Sequence, residues 1–371
     1  MEGQPTDRNV NLDCAETMET NASIHATYVR LQLQYEENLR QNWVEQLESP
    51  NKILKQLSVA ACLIHLWRSM YSVTPAKEES QSANKALFPG FVDIACGNGI
   101  LVYVLHMEGY KGLGFDACRR KSWDTFPDEV QACIEEKVII PRPFMDVLGP
   151  QEIGVGIHSG EFPENTFIIS DHADELTVWT PIMAALASPS SPLPFCILSC
   201  CSRSLSGAPY RYPPPESNAT QMSGDQNTVT NQFIGSIEQN PQPCSGDLLA
   251  LRAAKIEEKT ASGFLNSMIG SLIGKTKSVA EEVGCEVEKM TWVDASRVCP
   301  DALVGGRKQV TKCWPQSSGD SPMNEGLIAV RLEKIMEVVE RECSKDGGIQ
   351  AAARVWVERA KSLHLGNRAK H

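Results

Sequence analysis

Two short segments of the chain combine residue types and spacing that can do chemistry. The first is Asp93-Ile94-Ala95-Cys96-Gly97-Asn98-Gly99, set between an apolar run and an apolar helix start. Its glycines let backbone N–H groups approach a ligand closely, and the positive end of the following helix faces an anionic group. A second acid, Asp116, follows 23 residues after Asp93. At the end of a second strand such a carboxylate accepts both hydroxyls of a ribose. A nicotinamide site would carry a third glycine on the helix start, whereas Ile100, Leu101 and Val102 follow Gly99. The acid ahead of the loop suits a ligand with an ammonium group, so the constellation fits S-adenosylmethionine. The expected cofactor contacts are Asp93, Cys96, Gly97, Asn98, Gly99, Asp116 and Asp171, with Asp146 either meeting the adenine amino group or serving as a turn residue. Ala95 stands where a glycine is usual in such loops.

The second segment is Asp171-His172-Ala173-Asp174-Glu175. It falls just after the fourth expected strand, in the crevice where open α/β sheets bind their substrates. His172, Asp174 and Glu175 are therefore candidate catalytic residues. The plainer alternative is that Asp171 caps the next helix while Asp174 and Glu175 favour its first turn.

These segments need elements to hold them. Residues 1–24 are polar and unpatterned and read as a disordered tail. From Tyr28 the stripe Tyr28, Leu31, Tyr35, Leu39, Trp43 and Leu47 predicts a helix ending before Pro50, and Ile53, Leu57, Ala60, Ile64 and Trp67 predict a second. Together, 25–86 form an N-terminal helical extension. The period then changes to strand, glycine turn and helix. Strands are predicted at Gly90 to Cys96, Lys111 to Asp116, Lys137 to Phe144, Asn165 to Ser170 and Leu193 to Cys201, with helices at Trp123 to Glu136 and Asp174 to Ala187. This alternation indicates a Rossmann-like α/β fold, a doubly wound, mostly parallel sheet of the seven-stranded type, with its cofactor half in 87–201. Residues 202–247, dense in Ser, Pro, Gly, Asn and Gln, read as a flexible insertion. The rest of the core, 248–310, supplies a helix ending near Gly284 and a sixth strand from Cys285 to Val293. The helices of 311–371 form a C-terminal tail with no recognisable chemistry.

Composition narrows the class. The chain has 371 residues, a formal net charge of −11 and 13 cysteines. The acidic balance leaves any nucleic-acid contact to a local basic patch. An odd number of cysteines with no C-x-x-C pair predicts reduced thiols, neither a disulfide frame nor a metal site. No apolar run approaches membrane-spanning length, so a cytoplasmic protein without a membrane partner is expected.

The chain resembles the tRNA (uracil-2′-O-)-methyltransferase family that modifies the uridine at position 44 of serine tRNA. The residues carrying the likeness are Phe91 to Gly99, Leu101-Val102-Tyr103, Glu108 to Gly112, Gly114-Phe115-Asp116, Arg119-Arg120-Lys121 with Trp123, Asp171 to Thr177 with Trp179 and Pro181, Cys200-Cys201, and Gly207 to Tyr212. The segment Thr291 to Arg297 departs from the family pattern. The resemblance implies a methyltransferase that uses S-adenosylmethionine to methylate a tRNA ribose 2′-hydroxyl. That reaction aligns the hydroxyl with the sulfonium methyl and releases a proton late, a task for His172 or Asp174. Arg119, Arg120 and Lys121 are the expected RNA contacts, extended by Arg203 and Arg211, with a solvated charge run as the alternative. Cys200 and Cys201 are expected to pack at a strand end, and Trp67 and Trp179 to be core or lid aromatics. A methyltransferase for another substrate, and a non-catalytic RNA-binding scaffold with a vestigial cofactor pocket, are the competing readings.

Overall fold

A computed structural model describes residues 8–46, 48–73, 88–214, 267–290, 302–307 and 325–365, with side chains from residue 20 onward. Its centre is an eight-stranded sheet. The strands in chain order are β1 (Phe91–Ile94), β2 (Gly112–Asp116), β3 (Ile134–Ile139), β4 (Gly156–His158), β5 (Phe167–Asp171), β6 (Phe195–Leu198), β7 (Val287–Met290) and β8 (Ala302–Gly305). Across the sheet they run β4-β3-β2-β1-β5-β6-β8-β7. The first six pair in parallel, whereas β8 runs antiparallel to both β6 and β7. This is the Rossmann-like topology expected, with an added edge strand β4 and a final strand, β8, that sequence reading did not identify. The order reverses between β1 and β5, so the carboxyl ends of β1, β2 and β5 open onto one crevice.

Helices cover both faces. On one lie α1 (Arg8–Gln41), α2 (Lys52–Tyr71) and α3 (Ile100–Met107), with a short α4 (Asp128–Gln131). Trp67, fully buried on α2, stacks on Phe91 of β1 and meets Phe167 of β5 edge-on. The docking of α1 is fixed by Glu108, which has no exposed surface and accepts hydrogen bonds from Tyr35 Oη at 2.6 Å and Arg30 Nη2 at 2.7 Å. A buried carboxylate left without such donors would cost several kcal/mol, roughly, so the pair holds the helix in register.

On the other face lie α5 (Arg142–Leu148), α6 (Trp179–Ala187), α7 (Met268–Glu282), α8 (Glu325–Ser344) and α9 (Ile349–His364). Trp356 of α9 fits edge-on between Phe144 and Trp179, and its Nε1 donates to the Ile139 carbonyl at 2.8 Å. The C-terminal helices are thus a packed layer of the domain rather than a tail.

Local corrections follow from packing. Helix α1 begins at Arg8, inside the segment read as disordered, and ends at Gln41, before Trp43. The helix expected over Trp123 to Glu136 is a 3-10 turn at Lys121–Thr125 and the four residues of α4, because β3 already starts at Ile134. Phe144, expected in that strand, lies in α5, where Pro141 and Pro143 favour a helix start over a ladder. Most of the insertion at 202–247, the segment Thr291 to Arg297 and the residues joining α7 to the insertion lie outside the described residues.

Candidate active site

The loop after β1 is bent by three residues in left-handed backbone: Ala95 at φ +63°, Gly97 at +56° and Gly99 at +75°. For Gly97 a side chain would meet nothing within 4 Å, so that face of the loop is open to a ligand. Gly99 is glycine for a different reason. A Cβ there would lie 2.9 Å from Ile134 and 3.1 Å from Phe126, inside the core. Ala95 occupies the left-handed region without glycine's freedom, a strain of roughly 1–2 kcal/mol for an L-residue. Its position explains why glycine is the usual occupant.

Other loop residues hold the loop rather than face the crevice. The Asn98 side chain donates to Glu48 Oε2 at 3.0 Å and accepts from Ile100 N at 3.1 Å, closing the turn that leads into α3. Cys96 packs toward Gly114, where an added Cβ would lie 3.2 Å from its sulfur, and burial pushes its thiol well up. Asp116 is 1% exposed, and its carboxylate accepts from Gly97 N at 3.0 Å and Cys118 N at 3.1 Å. It braces the loop while still lining the cleft.

Three carboxylates converge at the crevice: Asp93, Asp116 and Asp171, at the ends of β1, β2 and β5. Asp93 is 2% exposed, and its Oδ1 has no hydrogen-bond partner among the described residues. Burial, reinforced by the charges of Asp171 and Asp116, raises its pKa well above the ordinary value. Asp171 moves the other way. Burial pushes it up, but the hydrogen bond from His172, with the charge of Lys55 and the hydrogen bond from Gln56 adding to it, holds it below the ordinary value. A buried acidic triangle with an unsatisfied oxygen calls for a cation.

The second chemical segment is strained as well. His172 at φ +55° and Asp174 at +46° are both left-handed, two non-glycine residues within three positions. Such conformations persist only where the surroundings impose them. Here His172 N donates to Leu198 O at 2.9 Å, and its Nδ1 lies 2.6 Å from Asp171 Oδ1. Its Nε2 lies 2.5 Å from Lys55 Nζ, and Gln56 Nε2 donates to Asp171 Oδ2 at 2.9 Å. An ammonium has only protons to give, so Nε2 accepts and Nδ1 carries the proton toward Asp171. Helix α2 therefore grips the end of β5 through Lys55 and Gln56, neither of which carries a spacing signal in the sequence.

Glu175 is 8% exposed and clamped by Arg359 Nη2 at 2.8 Å and Arg203 Nε at 3.9 Å. It is thereby a link between the β5 segment and α9 and offers no free carboxylate. Asp174 lines the cleft and accepts from Cys200 Sγ at 3.0 Å. The cleft itself is open to solvent, with about 660 Å³ of empty space when its mouth is included. Its walls are Ala95, Asp116, Ala117, Val138, Ile139, and His172 to Leu176, and α9 closes it with Trp356, Arg359, Ala360 and Leu363.

Other expected site residues fall elsewhere. Asp146 lies on α5, its side chain 59% exposed and ion-paired with Arg142 at 2.7 Å, outside the cleft lining. In the basic run only Arg119 and Lys121 are exposed. Arg119 pairs with Asp124 at 2.5 Å, and Arg120 turns in toward Asp116 at 3.8 Å. Arg203, expected to extend the patch, is 5% exposed and donates to Gly207 O. Trp67 and Trp179 are core residues without exposed surface.

Parts of the chain match known proteins. Residues 19–141 match the family model described as a predicted AdoMet-dependent methyltransferase, a range that includes the loop, α2 and the part of α1 from residue 19 onward. The chain is 48% identical over 354 residues to a tRNA (uracil-O(2)-)-methyltransferase of Aspergillus oryzae, a match covering 92% of this chain and 55% of the relative. Proteins of the same description in Neurospora crassa and Schizosaccharomyces pombe are each 42% identical, over 52% and 49% of this chain and 37% and 35% of their own lengths. The chain thus spans about half, or less, of the relatives it matches. No solved structure matches. Among the described residues, no helix is long and apolar enough to cross a membrane.

Proposed function

We propose, on the chain's likeness to tRNA (uracil-O(2)-)-methyltransferases, that it transfers a methyl group from S-adenosylmethionine to the ribose 2′-hydroxyl of a tRNA uridine, that at position 44 of serine tRNA, in the cytoplasm. The observation carrying the chemistry is the acidic triangle of Asp93, Asp116 and Asp171 with its unsatisfied Asp93 oxygen. The residues fit the cofactor: Asp93 would meet the ammonium, the open face of Gly97 its carboxylate, Asp116 the ribose, and the Ala117, Val138 and Ile139 wall the adenine.

S-adenosylmethionine supplies, when bound, a methyl group on a sulfonium. The chain's own task is to hold the acceptor oxygen in line and take its proton as the new C–O bond forms and the C–S bond breaks. His172 is the proton acceptor in this reading. Asp171 fixes its tautomer through Nδ1, as a carboxylate orients a basic imidazole, leaving Nε2 for the hydroxyl proton. Lys55, on Nε2 without substrate, moves to an RNA phosphate as the acceptor enters. Asp174 and Glu175 shape the pocket, and Arg119 and Lys121 add local positive charge to an otherwise acidic protein.

The test compares the nucleosides of serine tRNA from cells with and without this protein, with Asp93→Ala as a control. Loss of 2′-O-methyluridine in both deficient strains is expected; an unchanged profile overturns the substrate. Methyl transfer by the purified chain to a small molecule or a protein instead of tRNA would favour the broader methyltransferase reading.

A further inference from the structure

Cys200 and Cys201 follow β6 and Asp174 follows β5, and the fold brings one donor atom of each within 4.8 Å of the other two. We propose that Asp174, Cys200 and Cys201 bind a zinc ion. In a tetrahedral zinc site, bond lengths of about 2.3 Å to sulfur and about 2.1 Å to oxygen put sulfur atoms roughly 3.8 Å apart and sulfur from oxygen roughly 3.6 Å. The observed 3.0 Å between Cys200 Sγ and Asp174 Oδ1 and the 4.8 Å limit on the set bracket those values, so side-chain adjustments below about an ångström admit the ion. In the metal-free protein the Cys200 proton lies between that sulfur and Asp174, in the place the ion would take.

A second feature bears on access. All three residues are half-buried, so an ion could reach them, whereas Cys62, Cys196, Cys285 and Cys343 are buried; the half-buried Cys96, Cys118 and Cys133 belong to no such cluster of donors among the described residues. Asp174 is also held in a left-handed conformation, a strain kept where the side chain must point one way. Two thiolates select a soft divalent ion, and three protein donors leave the fourth tetrahedral position open. The expectation of no metal site rested on the absence of C-x-x-C spacing. The donors come instead from two adjacent strand ends.

The experiment is a cobalt(II) titration of the purified chain in a non-thiol reductant, followed by zinc. One equivalent should produce thiolate-to-cobalt charge transfer and the visible bands of tetrahedral cobalt. Zinc should bleach them and release about two protons per ion from the thiols. Cys201→Ser should abolish the charge transfer while circular dichroism stays native. Asp174→Asn, which keeps both thiols, should weaken binding at least ~10-fold and serves as the test if the cysteine variant does not fold. Absence of the bands in folded protein, their persistence in Cys201→Ser, or a Cys200–Cys201 disulfide that excludes the metal would each overturn the proposal. None of these readouts uses methyl transfer, so the zinc site and the proposed activity stand or fall separately.

Discussion

The two helical layers reach the same crevice and contribute differently. From the N-terminal layer, α2 brings two polar side chains, Lys55 and Gln56, onto the His172–Asp171 pair. From the C-terminal layer, α9 brings a buried indole and one ion pair, Trp356 on Ile139 and Arg359 on Glu175. The first set touches the groups proposed to move a proton; the second builds the wall of the cleft. Chemistry and enclosure are thus supplied from opposite faces of the sheet, and substitutions on the two faces should separate turnover from stability.

The largest effect is expected at the shared centre. His172→Ala should lower kcat by about 10²- to 10⁴-fold with cofactor affinity kept, and Lys55→Ala should shift the pH profile of kcat while its Tm stays within a degree or two, roughly. Equal losses in affinity and kcat would place His172 in binding instead. On the opposite face, Trp356→Ala should destabilise the fold by about 3–5 kcal/mol in denaturant titrations, because it removes a buried ring and orphans the Ile139 carbonyl. A loss below about 1 kcal/mol would mean that α9 does not pack as described.

The carboxylates give an intermediate test. Asp93 has a folded-state pKa raised above its unfolded value near 3.9, so the folded state holds a proton the unfolded chain gives up. Its contribution to stability is therefore fully present below about pH 3.9 and is lost as pH rises toward its folded-state pKa. Asp93→Asn should raise Tm at neutral pH and abolish cofactor binding. In the unaltered chain, calorimetry in buffers of different ionisation enthalpy should detect proton release on binding, with affinity growing as pH rises; binding without proton exchange would refute the role of Asp93. The smallest effect is Ala95→Gly, which relieves left-handed strain against glycine's greater unfolded-state entropy, for a net gain of about 0.5–1 kcal/mol by thermal melting.

Much of this was legible from residue order alone. The period change near Gly90, the loop from Asp93 to Gly99, and the acids at 116 and 171 are local patterns, since strand ends and glycine turns are written in consecutive residues. The helix stripe ending in Trp67 could be read the same way. Asp146 misled because an acid after a third strand says nothing about which turn follows, and Pro141 and Pro143 turned that segment into α5. Charge in sequence does not reveal pairing: of the basic residues, Arg119 and Lys121 are exposed, whereas Arg120 turns toward Asp116 and Arg203 is buried beside Glu175.

The sequence by itself determined the parallel α/β class, the cofactor loop and the strand-end acids, because these depend on local periodicity and on backbone freedom at single positions. Only the tertiary structure decided that Lys55, Arg359 and Cys200 belong to the same neighbourhood as His172 and Asp174. Arg359 lies 184 residues from Glu175, Lys55 117 residues from His172, and Cys200 on a different strand end, and only the packing of the helical layers on the sheet's faces and the adjacency of β5 and β6 bring them together.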